Sequence, residues 1–277
     1  MFSRAVLLAS ASGCVFLHAQ SDSSAAGQPG KVPELRDLNP DRPSLTDNPD
    51  TLDAGHLELE FDFANYGWQH QDHVTTRSWN FVPPVVRYGL TPKAEIQVSY
   101  ESFSVSETKD RLTGKHTDSR SWGDLEFRLK YNFWGNGDGP TSFGITPSIQ
   151  LPTATGDAGV HDGVEGGISL PFCADLGSGW NVTLNVQANA VHDNTRRCRF
   201  NGFAGATLGR QLTDCTSVYV ESINSFTPGS GGSRIGLIDA GFAWALTKNL
   251  EVDCGCNFGV SPDAERYHPF VGMSVRF

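Results

Sequence analysis

The chain has 277 residues, of which 38% are hydrophobic and 19% charged, and it is rich in Gly (30), Phe (17) and Trp (6) while holding two methionines. Both fractions fall below those of ordinary soluble domains, and the aromatics recur in regular patterns, which excludes a helical bundle, a helical membrane protein and a disordered chain and leaves an all-β fold. The formal net charge of −10 argues against a nucleic-acid partner, because neutralising phosphates needs a basic surface.

Residues 1–19 read as an export leader. Arg4 opens it, Ala5 to Leu17 supply the apolar stretch, and Leu17-His18-Ala19 precede a cleavage point at Gln20. The stretch is shorter than the roughly 20 residues of a spanning helix. Cys14 follows Ser12-Gly13 as a lipoprotein cysteine would, yet Val15, Phe16 and Leu17 continue the apolar run beyond it. Residues 20–54 are polar, Pro-rich and without period, so they form an extension, either a periplasmic cap or an inward-folded plug. Asp41-Arg42-Pro43 lies in that extension, just ahead of the first strand.

From residue 55 to 277 the pattern becomes alternation. Leu57, Leu59, Phe61 and Phe63 interleave with His56, Glu58, Glu60 and Asp62, which is a strand with one apolar face. The pattern returns in residues 94–101, 125–133, 142–151, 180–190, 250–260 and 267–277. Weaker strands are expected at 78–88, where Pro83-Pro84 should break the ladder, and at 165–173, 199–209, 216–225 and 235–246. The sum is about twelve strands, an even number as in bacterial outer-membrane barrels.

Connection lengths add a second signal. Short turns at 89–93, 134–141, 175–179, 210–214 and 247–249 alternate with longer polar loops at 66–77, 102–122, 152–164, 191–198, 226–234 and 261–266. Short turns on one rim and long loops on the other are the architecture of a transmembrane antiparallel up-and-down β-barrel. In lipid every backbone group must be paired, so the sheet must close, with its apolar residues outward. The lumen is then lined by Glu58, Glu60, Asp62, Glu95, Glu126, Arg128, Lys130, Glu221, Asp239, Glu251 and Asp253, which are candidate selectivity residues. Cross-strand pairing of Arg128 and Lys130 with carboxylates is the competing, purely structural role. Tyr66, Trp68, Trp79, Trp122, Trp134, Trp180 and Trp244 stand near strand ends and suit interfacial girdles. Phe277 ends the chain with apolar residues two, four and six positions earlier, like the C-terminal signal read by the barrel-assembly machinery.

Other chemistry leaves little trace. Cys254 and Cys256 share one face of a strand and are poorly placed to bond each other. No ligand cluster has zinc spacing and no phosphate-cradling loop occurs, so no metal or other cofactor is expected. The histidines fall in no hydrolase signature and no G-x-S-x-G is present, so no catalytic residue is assigned. A lipase-like barrel enzyme and an adhesion barrel using the loop at 102–122 are the alternative functions.

The run Asp41-Arg42-Pro43-Ser44-Leu45-Thr46-Asp47-Asn48-Pro49-Asp50-Thr51-Leu52, followed by Gly55-His56-Leu57-Glu58-Leu59-Glu60, resembles the opening of an outer-membrane family named for the MetA pathway of phenol degradation. Arg87-Tyr88-Gly89-Leu90-Thr91 with Glu95, Gly123-Asp124-Leu125 with Lys130, Leu151-Pro152-Thr153 with Gly156, and Tyr219-Val220-Glu221 continue the resemblance over residues 41–277. Ser44 and Leu45 depart from it, since the family often carries an acidic residue and an aromatic there. The resemblance implies an outer-membrane barrel with a transport role, its phenol label assigning no substrate; the expected partners are outer-membrane lipid and a small-molecule solute, with aromatic or hydrophobic solutes as one option.

Overall fold

A computed structural model of the chain describes residues 35–100, 103–157, 163–192, 197–229 and 232–277, with Ala64 described by its backbone alone. The expected leader, Cys14 and residues 20–34 lie outside the described residues. In chain order the strands are β1 (Leu57–Gln71), β2 (Val74–Asn80), β3 (Pro84–Thr91), β4 (Ala94–Tyr100), β5 (Ser104–Asp110), β6 (His116–Trp122), β7 (Leu125–Trp134) and β8 (Thr141–Leu151). They continue as β9 (Thr155–Gly156), β10 (Glu165–Gly177), β11 (Trp180–His192), β12 (Cys198–Thr213), β13 (Thr216–Phe226), β14 (Arg234–Thr247), β15 (Leu250–Gly259) and β16 (Tyr267–Arg276).

Twelve of these close into an antiparallel ring: β1, β3, β4, β7, β8 and then β10 through β16, which pairs back onto β1. Closure is completed at the chain end, where the Phe277 N–H donates to the Leu57 carbonyl at 2.7 Å. The ring leaves no strand edge within its wall, as a barrel in lipid must. Expected alternation is seen directly. On β1 Glu58 and Glu60 are buried while Leu57 and Phe63 are exposed, and on β7 Lys130 and Asn132 are buried while Leu129, Tyr131 and Phe133 are exposed.

The remaining strands correct two expected loops. β1 does not stop near residue 65 but runs on to Gln71, turns at Asp72-His73 and pairs with β2, while residues 104–122 form the β5–β6 hairpin. With β9, these strands extend the sheet beyond the long-loop rim of the ring. They carry no apolar alternation because both faces are polar there, so periodicity does not mark them. The break expected at Pro83-Pro84 separates β2 from β3, and Val82 takes a φ of 49° within it. The glycine-rich 199–209 stretch is an unbroken part of β12.

Aromatics gather at both rims. Trp68 stacks on Tyr267 at 5.3 Å and Tyr66 packs on Trp79 at 5.5 Å on the long-loop side. Trp134 packs on Phe143 at 5.0 Å and Arg210 sits 4.5 Å over Trp180 on the short-turn side. The long-loop rim is also tied by Glu265, which accepts from the Ser78 hydroxyl at 2.9 Å and contacts His268 Nδ1 at 2.5 Å.

Two outcomes follow from this wall and rim. Val186 lies outward at the middle of β11, 54% exposed, so Val186→Arg should cost about 2–4 kcal/mol of folding free energy in bilayers, read as a lowered urea midpoint. Burial pushes the Glu265 carboxyl up, but the hydrogen bond and charge of His268, with the Ser78 hydroxyl, outweigh it and hold the group below its ordinary value. A depressed carboxylate stabilises the folded contact above its unfolded pKa and loses that effect as pH falls through the folded value. The rim should therefore hold at neutral pH and loosen only below the ordinary carboxylate range. Hydrogen exchange at the Arg266 amide, which donates to the Trp68 carbonyl at 2.8 Å, would report it, and Glu265→Gln should remove that pH dependence.

Candidate functional site: the polar lumen and the segment inside it

The inward face of the ring is not left open. Residues 35–54 enter at the short-turn rim, cross the lumen and return, making polar contacts with nearly every strand of the ring. The two arms are tied at the rim, where Arg36 Nε donates to Asp53 at 2.6 Å and Arg276 Nη1 donates to the Arg36 carbonyl at 2.8 Å. Asn136, in the turn after β7, donates to Thr51 Oγ1 at 2.7 Å and fixes the returning arm to the wall. The wall makes room with glycine: a Cβ on Gly89 would overlap the Asp53 carbonyl oxygen, and one on Gly272 would overlap the Arg42 guanidinium.

One group of lumen charges centres on Arg87 of β3. Its guanidinium lies 2.9 Å from Glu58, 2.8 Å from Glu60 and 2.9 Å from Glu95, and all four side chains are essentially inaccessible. Glu95 also accepts from the Leu52 N–H at 2.5 Å, and Glu60 accepts from the N–H groups of Asp41 and Arg42, each at 3.1 Å. Lys130 Nζ lies 2.6 Å from Asp41 and 3.8 Å from Glu95, which links β7 to the same cluster. Gln97, fully buried on β4, donates to Asp41 at 2.8 Å.

A second group forms around Arg42, which pairs with Asp62 of β1 and Asp253 of β15, each at 2.7 Å. Phe270 flanks the same guanidinium at 5.8 Å. The third group holds the tip of the segment. Glu221 of β13 accepts from the Ser44 hydroxyl at 2.7 Å and from the N–H groups of Leu45 and Thr46, each at 2.9 Å. An acid at position 44 would face that carboxylate instead of donating to it. The Tyr219 hydroxyl donates to the Pro43 carbonyl at 3.3 Å and lies 3.2 Å from Asp239. On the opposite wall Arg128 pairs with Asp47 at 2.5 Å.

The sequence-expected lumen residues therefore do face inward, but they do not form one ring. Glu58, Glu60, Glu95 and Lys130 gather around Arg87; Asp62 and Asp253 around Arg42; Glu221 and Arg128 meet the tip. Asp239 is buried 3.2 Å from the Tyr219 hydroxyl, and Glu251 is buried beside the short-turn-side cavity that Tyr219 also lines. Glu126 stands apart, accepting from Ser99 at 3.2 Å near the long-loop half. Arg128 and Lys130 pair chiefly with the inner segment, a partner that neither the selectivity role nor the competing cross-strand role had named. Residues 41–43 are all in contact: Asp41 with Lys130, Arg42 with Asp253 and Pro43 with Tyr219.

Sequence reasoning missed Arg87, although it stands in the stretch quoted for the family resemblance and two positions before the inward Gly89. The Pro83-Pro84 break hid the alternation that places Val85, Arg87 and Gly89 on one face. Asp47 was missed because nothing periodic surrounds it. Two cavities flank the inner segment. One of about 500 Å³ opens on the long-loop side above Leu45 and Asp47, and one of about 90 Å³ lies on the short-turn side beside Pro43 and Tyr219.

A family model described as "Putative MetA-pathway of phenol degradation" matches residues 40–277. The chain belongs to this family. No curated protein matches it by sequence. Among solved structures, this family member is similar to the COG4313 outer membrane channel from Pseudomonas putida F1, with a TM-score of 0.62, 10% identity, and coverage of 83% of this chain and 98% of that one. It is also similar to the transport unit of the autotransporter AIDA-I from Escherichia coli, with a TM-score of 0.53, 11% identity, and coverage of 80% and 89%. The beta domain of the Bordetella autotransporter BrkA matches with a TM-score of 0.51, 12% identity, and coverage of 81% and 100%. At these identities the likeness is one of fold, and the fold is that of outer-membrane barrels.

Removing one partner from a buried ion network leaves the others uncompensated. Arg87→Met should therefore lower the unfolding free energy by about 3–5 kcal/mol, measured by urea titration in detergent. Arg210→Met, which loses the contact over Trp180, should cost about 1 kcal/mol or less.

Proposed function

We propose that the protein is a channel of the bacterial outer membrane that passes small molecules, aromatic and apolar ones among them, and that residues 35–54 are its plug. The observation that carries this reading is the outer cavity of about 500 Å³, floored by Leu45 and Asp47 of the plug instead of by the wall. A ring of twelve strands lies between barrels of about eight strands, which side chains fill, and those of sixteen, which leave an aqueous channel. Its bore is therefore wide enough to pass a solute once the inner segment moves aside. The segment is held by hydrogen bonds and ion pairs, which water can replace, so its contacts with the wall can be broken without exposing a large apolar surface.

Membership of the family supports a transport role, and the lipid-facing alternation supports the membrane. On this reading the leader at residues 1–19 directs export, the C-terminal strand ending in Phe277 serves recognition by the assembly machinery, and the barrel makes and breaks no bonds of its solute. Glu126 and Arg128, both lining the outer cavity, are its selectivity residues.

The test is single-channel recording of the refolded, heat-modifiable protein in planar bilayers. The intact chain should give small steps, and a variant lacking residues 35–52 should give steps at least severalfold larger. Equal steps from the two folded proteins would show that the segment does not obstruct the path, and no current from either would remove the channel reading.

A further inference from the structure

Asp47 occupies a receptor that the wall supplies. Its Oδ2 accepts from Arg128 Nη2 at 2.5 Å, Ser169 Oγ at 2.7 Å, Asn185 Nδ2 at 3.3 Å and Gln187 Nε2 at 3.5 Å. These donors come from β7, β10 and β11, and Ser169 and Gln187 are directly paired across the sheet. A guanidinium, a hydroxyl and two amides converging on one oxygen make a carboxylate site, with a charge-assisted bond as its strongest member. Asp41 also has wall donors, but it lies deep among buried charges. The Asp47 receptor differs because Arg128, Ser169 and Gln187 line the outer cavity.

The wall facing this receptor breaks the alternation of the ring. Phe203 of β12, Ile223 of β13, and Ile235 and Leu237 of β14 turn apolar side chains into the cavity, and Leu45 of the plug joins them. A cavity with a carboxylate receptor at its floor and an apolar flank fits a ligand with one carboxylate and an apolar body. The geometry points to small monocarboxylates with an apolar body, such as aromatic acids, as ligands of the outer cavity, where they compete with Asp47 for its receptor and so loosen the plug. This inference rests on the channel reading and deepens it, by naming the solute class and the step that opens the path.

Two features set the strength of that competition. Asp47 is tethered, so it presents its carboxylate at an effective concentration on the order of millimolar or higher, and a free acid must exceed that or gain from the apolar flank. Glu126 and Glu165 lie one pleat nearer the long-loop rim, both opposite Gln150. Their charge weakens retention of an anion, which suits a site that must release what it binds.

The experiment uses the full refolded chain with benzoate as the probe, and with benzyl alcohol and benzylamine as ring-matched controls of different charge. In bilayers, benzoate should raise the conductance of the wild-type protein toward that of the variant lacking residues 35–52, and benzyl alcohol should not. By calorimetry in detergent, Asp47→Ala should bind benzoate at least tenfold more tightly than wild type, with benzyl alcohol unchanged. Arg128→Gln in the Asp47→Ala background should abolish the gain. Equal effects of benzoate and benzyl alcohol, or a gain that survives Arg128→Gln, would overturn the inference. The wild-type conductance series keeps the test decisive should Asp47→Ala fail to give a heat-modifiable barrel. Large steps from the deletion variant without any benzoate effect on the intact chain would overturn the competition and leave the channel reading standing. Absence of current from both the intact chain and the folded deletion variant would remove the channel reading, while the calorimetry still tests the receptor.

Discussion

A closed ring in lipid puts its apolar residues outward, and at twelve strands the inward residues are too few and too short to fill what they enclose. The interior of this protein is organised by that deficit. Carboxylates on β1, β4, β13 and β15 face a bore that wall cations alone would not fill, and several of them are essentially inaccessible to solvent. Charges so placed must be paired or hydrogen-bonded, because an isolated ion in such a setting carries a heavy desolvation penalty. Residues 35–54 supply the missing matter. They bring the guanidinium of Arg42 to Asp62 and Asp253, and backbone N–H groups to Glu60, Glu95 and Glu221. The inner segment completes a core that the wall residues begin around Arg87.

The lipid-facing half of the fold is legible because lipid imposes a period. Leu125 to Phe133 and Trp180 to Ala190 alternate without interruption, and the strands stand where the alternation stands. Where the chain rises beyond the ring the constraint ends, and so does the legibility. Residues 104–122 are strands with polar residues on both faces, and they look like a loop when only periodicity is read. Arg87 was obscured for a related reason: the break at Phe81–Pro83 interrupts the alternation just before the residue that organises the largest charge cluster. The lumen list read from alternation was sound in direction, since its members face inward. It could not say which residues meet, because the partners of Arg128, Glu221 and Asp253 lie in a segment without secondary structure.

The apolar inward residues are the other illegible feature, and they carry functional weight. Alternation assigns apolar residues to lipid, yet Ile223 is 3% exposed and faces the lumen, as do Phe203, Ile235 and Leu237 around the outer cavity. In β14 the run Ile235-Gly236-Leu237-Ile238 hides this, because Leu237 and Ile238 are adjacent and point to opposite sides. A barrel needing only to hold charges would have no use for that wall. Its presence gives the outer half of the lumen a chemistry different from the inner half, where Arg42, Glu251 and Tyr219 line a much smaller space.

The tip of the plug lies where those two chemistries meet. Leu45 joins the apolar wall, Asp47 sits on the donors of β7, β10 and β11, and the backbone between them is held by Glu221 on the far side. Anchors of opposite polarity on opposite walls keep the tip in register, since sliding toward either wall breaks the bonds at the other. They also make the contacts separable. Loss of the Asp47 anchor leaves the Glu221 anchor and the Arg42 pairs in place, so the tip can swing away from one wall while its base remains tied at Arg36 and Asp53. A plug fixed by a continuous apolar interface would have to leave as a unit. On the channel reading proposed above, one held at discrete polar points opens on the side where a solute arrives.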